Sequence, residues 1–516
     1  MTRRPIPAAC AGVLALLVVT GLLSACTDAS SESGAGGTSG QGGGGVGGAG
    51  GTQEPVEDGT HFIRDEDGRV LILRGMNIMS SSKGHPERLP TLAEGDVERY
   101  ARQWGFNVVR YLIFWDAVEP SPGVYGTAYF DATEERLDWF ANHGVYVILD
   151  MHQDVYAQRF CCDGAPEWAI EDDGLPFEQN PVWSLNYFAP AVMAAFDNFF
   201  DYEGAYPYLQ DHFADAWVRV VERFKDHPAV IGYDVLNEPS PGSAYKSTDL
   251  TVTLPDSEAA EFDRTFFTDF YERMIAAIRS ADEDGWIFYE PRVAAPANGQ
   301  PSFIGKLEDP RQGEPRIAYA PHLYSVQFEF NQEYTPDRDD TLASWETSRN
   351  TETSAQEAPL LLGEWGFDPE WPGADRFRRE LLDMGDRMML GWTYWSYDPW
   401  GWGIWESDVD GNFVAERESA NDLVRPYPQR VSGAPRSFGF DPDSLSFELA
   451  FDPSPSATLP TEIYVPAGRH YPGGWSLSGC EETAGCTSSW NPDTEILQIW
   501  TPSRTARVEL QITPDA

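Results

Sequence analysis

The sequence predicts an α/β protein, a (β/α)8 barrel carrying a C-terminal antiparallel β-sandwich domain, and three observations predict it. Eight short apolar runs recur between Val70 and Tyr397, separated by charged amphipathic stretches. The runs are continuous rather than alternating, which is the pattern of parallel strands covered by helices on both faces. After residue 425 the pattern changes to period two, as antiparallel strands with one buried face require.

The runs are Val70 to Ile78, Phe106 to Trp115, Val145 to Gln153, Val230 to Leu236, Gly285 to Tyr289, Ile317 to Tyr324, Pro359 to Trp365 and Met389 to Tyr397. Helical patterns between them include Gly95 to Trp104, Ala132 to His143, Phe213 to His227, Glu258 to Ser280 and Asp375 to Gly385. Eight such units suggest a closed barrel. An open doubly wound sheet is the alternative, and the absence of a Gly-rich fingerprint after the first run counts against it. In the tail, Leu445, Phe447, Leu449 and Phe451 alternate with Ser446, Glu448 and Ala450, and Val508, Leu510 and Ile512 with Glu509 and Gln511. This sandwich is expected to cover the barrel's flank, with carbohydrate binding as the other reading.

The chain has 516 residues, and its 36 basic against 82 acidic side chains give a formal net charge of -46. So acidic a surface repels polyanions, which argues against a nucleic-acid partner. Its 18 Trp, 22 Tyr and 28 Phe exclude disorder throughout. At the N-terminus, Arg3 and Arg4 precede an apolar stretch from Ala11 to Leu23, too short for a span of roughly 20 residues and suited to a signal peptide.

That stretch ends in Leu23-Ser-Ala-Cys26, which resembles a bacterial lipobox and implies cleavage before Cys26 and lipidation of it. The alternative is an ordinary signal peptide with an incidental Cys26. Losing residues 1–25 removes two arginines and no acids, leaving a mature charge of -48. Ser30 to Thr52 is nearly all Gly, Ser, Ala and Thr, a flexible tether. The expected organisation is therefore a signal peptide (1–25), a lipidated cysteine and linker (26–58), a barrel (59–425) and a sandwich (426–516). The protein would sit on the extracellular side of the membrane or be secreted, as a monomer.

Export permits disulfides. Cys480 and Cys486, close together in a polar turn-like stretch, are expected to pair. Adjacent Cys161 and Cys162 are left open, since a bridge between neighbours is strained.

In such a barrel the C-terminal ends of the strands build the active site. The polar residues there are Arg110 on the second run, Asp150, His152, Gln153 and Asp154 on the third, and Asn237 and Glu238 on the fourth. His322 and Tyr324 end the sixth, Glu364 the seventh and Trp395 the eighth. Glu238 and Glu364 each follow an apolar strand directly, where an idle carboxylate would be costly. Facing one bond from two sides, two carboxyls can protonate a leaving oxygen and attack an anomeric carbon.

The set Arg110, His152, Asn237, Glu238, His322, Tyr324, Glu364 and Trp395 resembles glycoside hydrolase family 5. Closer still, Arg74-Gly-Met-Asn77 with Ser80-Ser-Ser-Lys83, Phe114-Trp115 followed by Val118-Glu-Pro120, and Asp150-Met-His-Gln-Asp-Val-Tyr156 resemble the endoglycoceramidases of that family. The resemblance implies a retaining enzyme that frees a glycosphingolipid's oligosaccharide from ceramide, with Glu238 as acid/base and Glu364 as nucleophile. Tyr324 and Arg110 would support the nucleophile. His152, Asp154, Asn237, His322, Trp395, Lys83 and Trp183 would bind substrate. An acid at 238 is expected to hold its proton near working pH. No metal and no cofactor are implied.

The loop from Val155 to about His212 is long and rich in aromatic residues, which either line a groove for a lipid tail or form the loop's own core. Trp400, Trp402 and Trp405 add a second aromatic cluster. The rival readings are a related family 5 glycosidase with another aglycone (glucosylceramide, steryl glucoside, galactosylceramide or β-glucan) and a non-catalytic glycolipid-binding lipoprotein.

Overall fold

The structure is a computed structural model, describing residues 62–78, 80–246, 252–398, 402–454, 458–482, 485–501 and 506–515. Cys26, the leader, the linker and Trp400 lie outside the described residues. Eight parallel strands form the barrel: β1 (Arg74–Ile78), β2 (Val108–Ile113), β3 (Tyr146–Met151), β4 (Val230–Asp234), β5 (Trp286–Tyr289), β6 (Ile317–Tyr319), β7 (Leu361–Trp365) and β8 (Gly391–Tyr394). They pair in the order β6-β5-β4-β3-β2-β1-β8-β7. The seam between β6 and β7 is joined by single parallel bridges, Tyr319 to Leu360 and Leu323 to Trp365. There the Leu323 N–H donates to the Glu364 carbonyl at 2.8 Å. Strand β6 stops at Tyr319, short of the Tyr324 expected from sequence, and Pro321 just beyond it has no N–H to give a ladder.

The pleat decides what fills the barrel, because every second side chain points the same way. Val108, Ile148, Phe288, Ala318 and Leu361 pack together as an inner apolar floor. Two residues further along the same chains come Arg110, Asp150 and Glu290, so a charged layer caps the floor. Glu364 joins that layer where the β7–β8 register shifts between Leu362 and Trp365. Helices including Glu94–Arg102, Thr127–Asn142, Tyr208–Phe224, Thr268–Ala281, Thr341–Gln356 and Ala374–Arg387 cover the outside.

The first apolar run divides. Arg74–Ile78 enters the barrel, whereas Val70–Leu71 pairs antiparallel with β9 (Tyr427–Val431) of the sandwich. The other sandwich strands are β10 (Gly433–Asp441), β11 (Ser446–Pro453), β12 (Thr461–Tyr464), β13 (Trp475–Ser478), β14 (Thr487–Asn491), β15 (Ile496–Trp500) and β16 (Val508–Pro514). One sheet runs Val70–Leu71, β9, β12, β15, β14 and the other β10, β11, β16, β13. The alternation legible in sequence becomes cross-strand pairs: Phe447 faces Ile512, Leu449 faces Leu510 and Phe451 faces Val508, all buried.

The sandwich packs on the end of the barrel opposite its mouth. The Tyr427 hydroxyl donates to the Gly105 carbonyl at 2.8 Å. Gly105, at φ +62°, lies so near the Tyr464 ring that a Cβ would fall 2.3 Å from it. Arg74 pairs with Asp386 at 2.5 Å, and the Phe440 N–H donates to the same carboxylate at 3.2 Å.

The aromatic loop after β3 is mostly its own core. Tyr156, Phe160, Tyr187, Phe196, Phe199 and Phe200 are buried, with Phe199 and Phe200 5.6 and 5.5 Å from Phe270. Trp168, Phe177, Trp183 and Phe188 are only partly buried against it. Trp405 is likewise core, its Nε1 donating to the Tyr397 carbonyl at 2.7 Å. Cys161 and Cys162 are bonded to each other, as are Cys480 and Cys486.

Candidate active site

Arg110 is the hub of the mouth. It is fully buried, and its guanidinium meets Asp234 at 2.7 Å, Asp150 at 2.9 Å, Glu290 at 2.8 Å and Glu364 at 2.6 Å. It also donates to the side-chain oxygens of Asn77 and Asn237, each at 3.0 Å. A fixed fork with five donors suits this crowd of acceptors, where a lysine could not serve them all.

Glu364 receives a second donor, the Tyr324 hydroxyl at 2.9 Å from Oε2. Burial and the neighbouring Glu364 charge raise the Tyr324 hydroxyl well above the usual phenol range, so it remains a donor. Glu238 stands opposite, just beyond β4, with φ +38°. A side chain at positive φ is strained and persists only where its surroundings hold it. Here its N–H donates to Glu290 Oε2 at 2.8 Å, while Gln153 Nε2 donates to its carbonyl at 2.9 Å. Oε1 of Glu238 lies 2.8 Å from His322 Nδ1, and the same nitrogen is 3.6 Å from Glu364 Oε2. A carboxylate oxygen of Glu238 and one of Glu364 lie within 4.8 Å of each other.

The charge on Glu238 differs from the sequence expectation. Burial pushes its carboxyl up, but the hydrogen bond and charge of His322, with Lys83 and Arg110, outweigh burial and hold it below the ordinary value. His322 is correspondingly raised, because Glu290, Glu364 and the bond to Glu238 overcome the burial that disfavours its charge. Both directions favour the ion pair, an imidazolium at His322 against an ionised Glu238.

One wall carries the remaining predicted residues. His152 donates or accepts through Nδ1 at 2.7 Å from Asp150. Burial, with the charges of Lys83, Arg110 and His322, keeps its ring neutral. It stacks on Trp395 with ring centroids 5.7 Å apart, and the Lys83 ammonium sits 4.3 Å over the same indole. Lys83 pairs with Asp154 at 2.5 Å, and burial pushes Asp154 up to about 6 against the pull of Lys83. Asn237 spends its amide internally, accepting from Arg110 and donating to the Gln153 carbonyl at 3.0 Å. Trp183 is partly buried, its ring 6.5 Å from Tyr187.

Three residues of the cluster are not among the sequence-predicted site residues. Asp234 and Glu290 share Arg110, and Asp163 accepts the Asp154 N–H at 3.1 Å. Glu290 directly follows an apolar strand, the same signal that marks Glu238 and Glu364, and so was findable. Asp234 lies within its run, where a carboxylate amid apolar neighbours is itself a signal.

Residues 65–401 match the cellulase family, glycosyl hydrolase family 5, and residues 425–512 match the glycoside hydrolase family 5 C-terminal domain. The chain is 29% identical over 431 residues to endoglycoceramidase I of Rhodococcus hoagii, covering 81% of each chain. It superposes on endo-glycoceramidase II from Rhodococcus sp. with a TM-score of 0.79 and 36% identity, over 88% of this chain and 100% of that one. That enzyme has also been solved as a ganglioside GM3 complex and as a lactosyl-enzyme intermediate. An endogalactoceramidase structure aligns with a TM-score of 0.67 and 26% identity, over 89% of this chain and 99% of that one. Two carboxylates held across a barrel mouth by an arginine and a histidine, on a chain matched from barrel through sandwich, make this protein a glycosidase belonging to glycoside hydrolase family 5.

Proposed function

We propose that this glycosidase cleaves the β-glycosidic bond between the oligosaccharide and the ceramide of glycosphingolipids, with retention of configuration. The observation that carries the reading is the approach of Glu238 and Glu364 to within 4.8 Å. Retaining enzymes keep their two carboxyls about 5–5.5 Å apart, whereas inverting ones leave room for a water between. Glu364, oriented by Arg110 and Tyr324, attacks the anomeric carbon as Glu238 protonates the ceramide oxygen. Glu238 then takes a proton from the water that opens the glycosyl ester. Neutral His152 offers its Nε2 to a sugar hydroxyl beside the Trp395 face and the Lys83–Asp154 pair. The likeness to endo-glycoceramidase II over the whole of that chain, and to endoglycoceramidase I over 81% of its length, supports ceramide as the aglycone.

We further propose that lipid on Cys26 anchors the protein outside a bacterial membrane, with residues 30–52 as its leash, and that it works as a monomer. Among the described residues no helix is long and apolar enough to cross a membrane. Incubation with lactosylceramide, glucosylceramide, a galactosyl-linked glycolipid and carboxymethyl cellulose, read by mass spectrometry, tests the assignment. Released lactose with free ceramide is expected; cellulose as the best substrate, or bound but uncut glycolipid, overturns it.

A further inference from the structure

Hydrolysis by two glutamates gives Glu290 no part, yet the barrel mouth is built around it. Glu290 is 1% exposed. Its Oε2 accepts the Glu238 N–H at 2.8 Å, and its Oε1 accepts from Arg110 at 2.8 Å and lies 3.2 Å from His322 Nε2. The opposite nitrogen of that ring is 2.8 Å from Glu238 Oε1. One buried imidazole is thus flanked by two carboxylates, one on each nitrogen.

The neighbours explain why this row keeps a proton. Facing Glu290 are Arg110 from β2, Asp150 from β3, Asp234 from β4 and His322 beyond β6; Glu364 of β7 meets the same guanidinium. Behind it, the Tyr271 hydroxyl donates to the Glu290 carbonyl and accepts its N–H. Oxygens of Asp150, Asp234 and Glu290 lie within 4.8 Å of one another. Several negative charges around one guanidinium repel each other in a dry site, and taking up a proton relieves them. Burial, with the charge of Asp234, pushes Glu290 up to about 8 despite the pull of His322 and Arg110.

We propose that Glu290 is a positioning residue that acts through His322, the two together storing the proton that Glu238 delivers to the leaving oxygen. This rests on reading Glu238 as the acid. When substrate displaces water from the mouth, the Nδ1 proton of His322 crosses to Glu238 Oε1, while the Nε2 proton stays on the ring, facing Glu290 Oε1. Glu238 passes its proton to the departing oxygen. In the second step Glu238 takes a proton from water as the water oxygen bonds the anomeric carbon, and that proton returns to His322 Nδ1. The stored proton is restored at the end of each turnover.

The test is Glu290→Gln. Its amide oxygen still accepts the Glu238 N–H, while its amide nitrogen takes the place of Oε1, facing both His322 Nε2 and the Arg110 guanidinium, so the ring loses the carboxylate that held its surplus proton. On lactosylceramide, kcat is expected to fall at least about tenfold, toward the 10²–10⁴-fold contribution of a general acid. Release of dinitrophenol from a dinitrophenyl β-lactoside, which needs no acid, is expected to stay near wild type. The alkaline limb of the kcat profile moves to lower pH. Nitrogen-15 NMR, with the ring assigned through His322→Asn, should find His322 doubly protonated near neutrality in the wild type and neutral in the variant. Equal losses on both substrates, no loss on either, or an unchanged imidazolium in the variant would overturn the proposal. If wild type cleaves the aryl lactoside but no glycolipid, the substrate assignment fails while this inference is still judged by the NMR.

Discussion

Replacing Arg110 with Met, similar in length but uncharged, removes the guanidinium that Asp150, Asp234, Glu290 and Glu364 share. Taking one partner from a buried ion pair typically costs about 3–5 kcal/mol, because the stranded charge has no water to turn to. Four carboxylates at 0–6% side-chain exposure lose the guanidinium at once, which puts this site at the upper end, reduced by His322 beside Glu290 and Glu364 and by whatever protons the carboxylates take up. Urea unfolding followed by tryptophan fluorescence should lower the midpoint by about 1 M. The sign of the pH effect follows from linkage. The guanidinium pulls the carboxyls of Asp150 and Glu290 down against the burial that raises them, so its stabilisation is present above their titration range and is lost as pH falls through it. Glu290, at about 8, titrates early in that descent. The gap between wild type and variant should therefore narrow steadily from alkaline to acid pH. A gap under about 1 kcal/mol at alkaline pH, or one that widens on acidification, would refute the hub argument.

Two further predictions probe other parts of the molecule. Gly105→Ala puts a methyl 2.3 Å from the Tyr464 ring at φ +62°, so a loss of about 2–4 kcal/mol is expected from backbone strain plus overpacking; urea unfolding reads it, with activity per folded molecule unchanged. Asp163, pushed up to about 8 by burial and the Asp154 charge, loses its stabilising contribution as pH rises from about 4 to about 8. Asp163→Asn keeps the acceptor for the Asp154 N–H, and should melt with less pH dependence than wild type across that window; parallel melting curves would contradict the assignment.

What the sequence reveals follows from what is local. Apolar runs ending in Glu238, His152 or Glu364 expose both strand and site, because a polar residue just past a buried strand needs a reason to be there. The sandwich alternation was equally plain. The division of the first run was not, since Val70 to Ile78 reads as one run and only tertiary pairing sends its two ends to different sheets. Thr341–Gln356 hides in a Ser- and Thr-rich stretch, where Trp345 and Arg349 are among the few buried side chains. The ionisation of Glu238 was out of reach, because the residue that sets it, His322, arrives from 84 positions away. The aromatic insertion had two readings in sequence, and the buried rings of Phe196, Phe199 and Phe200 favour a loop core for most of it.

The stereochemistry of the first product tests the central claim most directly. Proton NMR of a lactoside reaction, recorded before mutarotation, should find the β-anomer of lactose appearing first, as two successive displacements at one carbon through Glu364 require. Initial release of the α-anomer would mean a single displacement by water, and the reading of Glu238 and Glu364 as acid/base and nucleophile would be wrong.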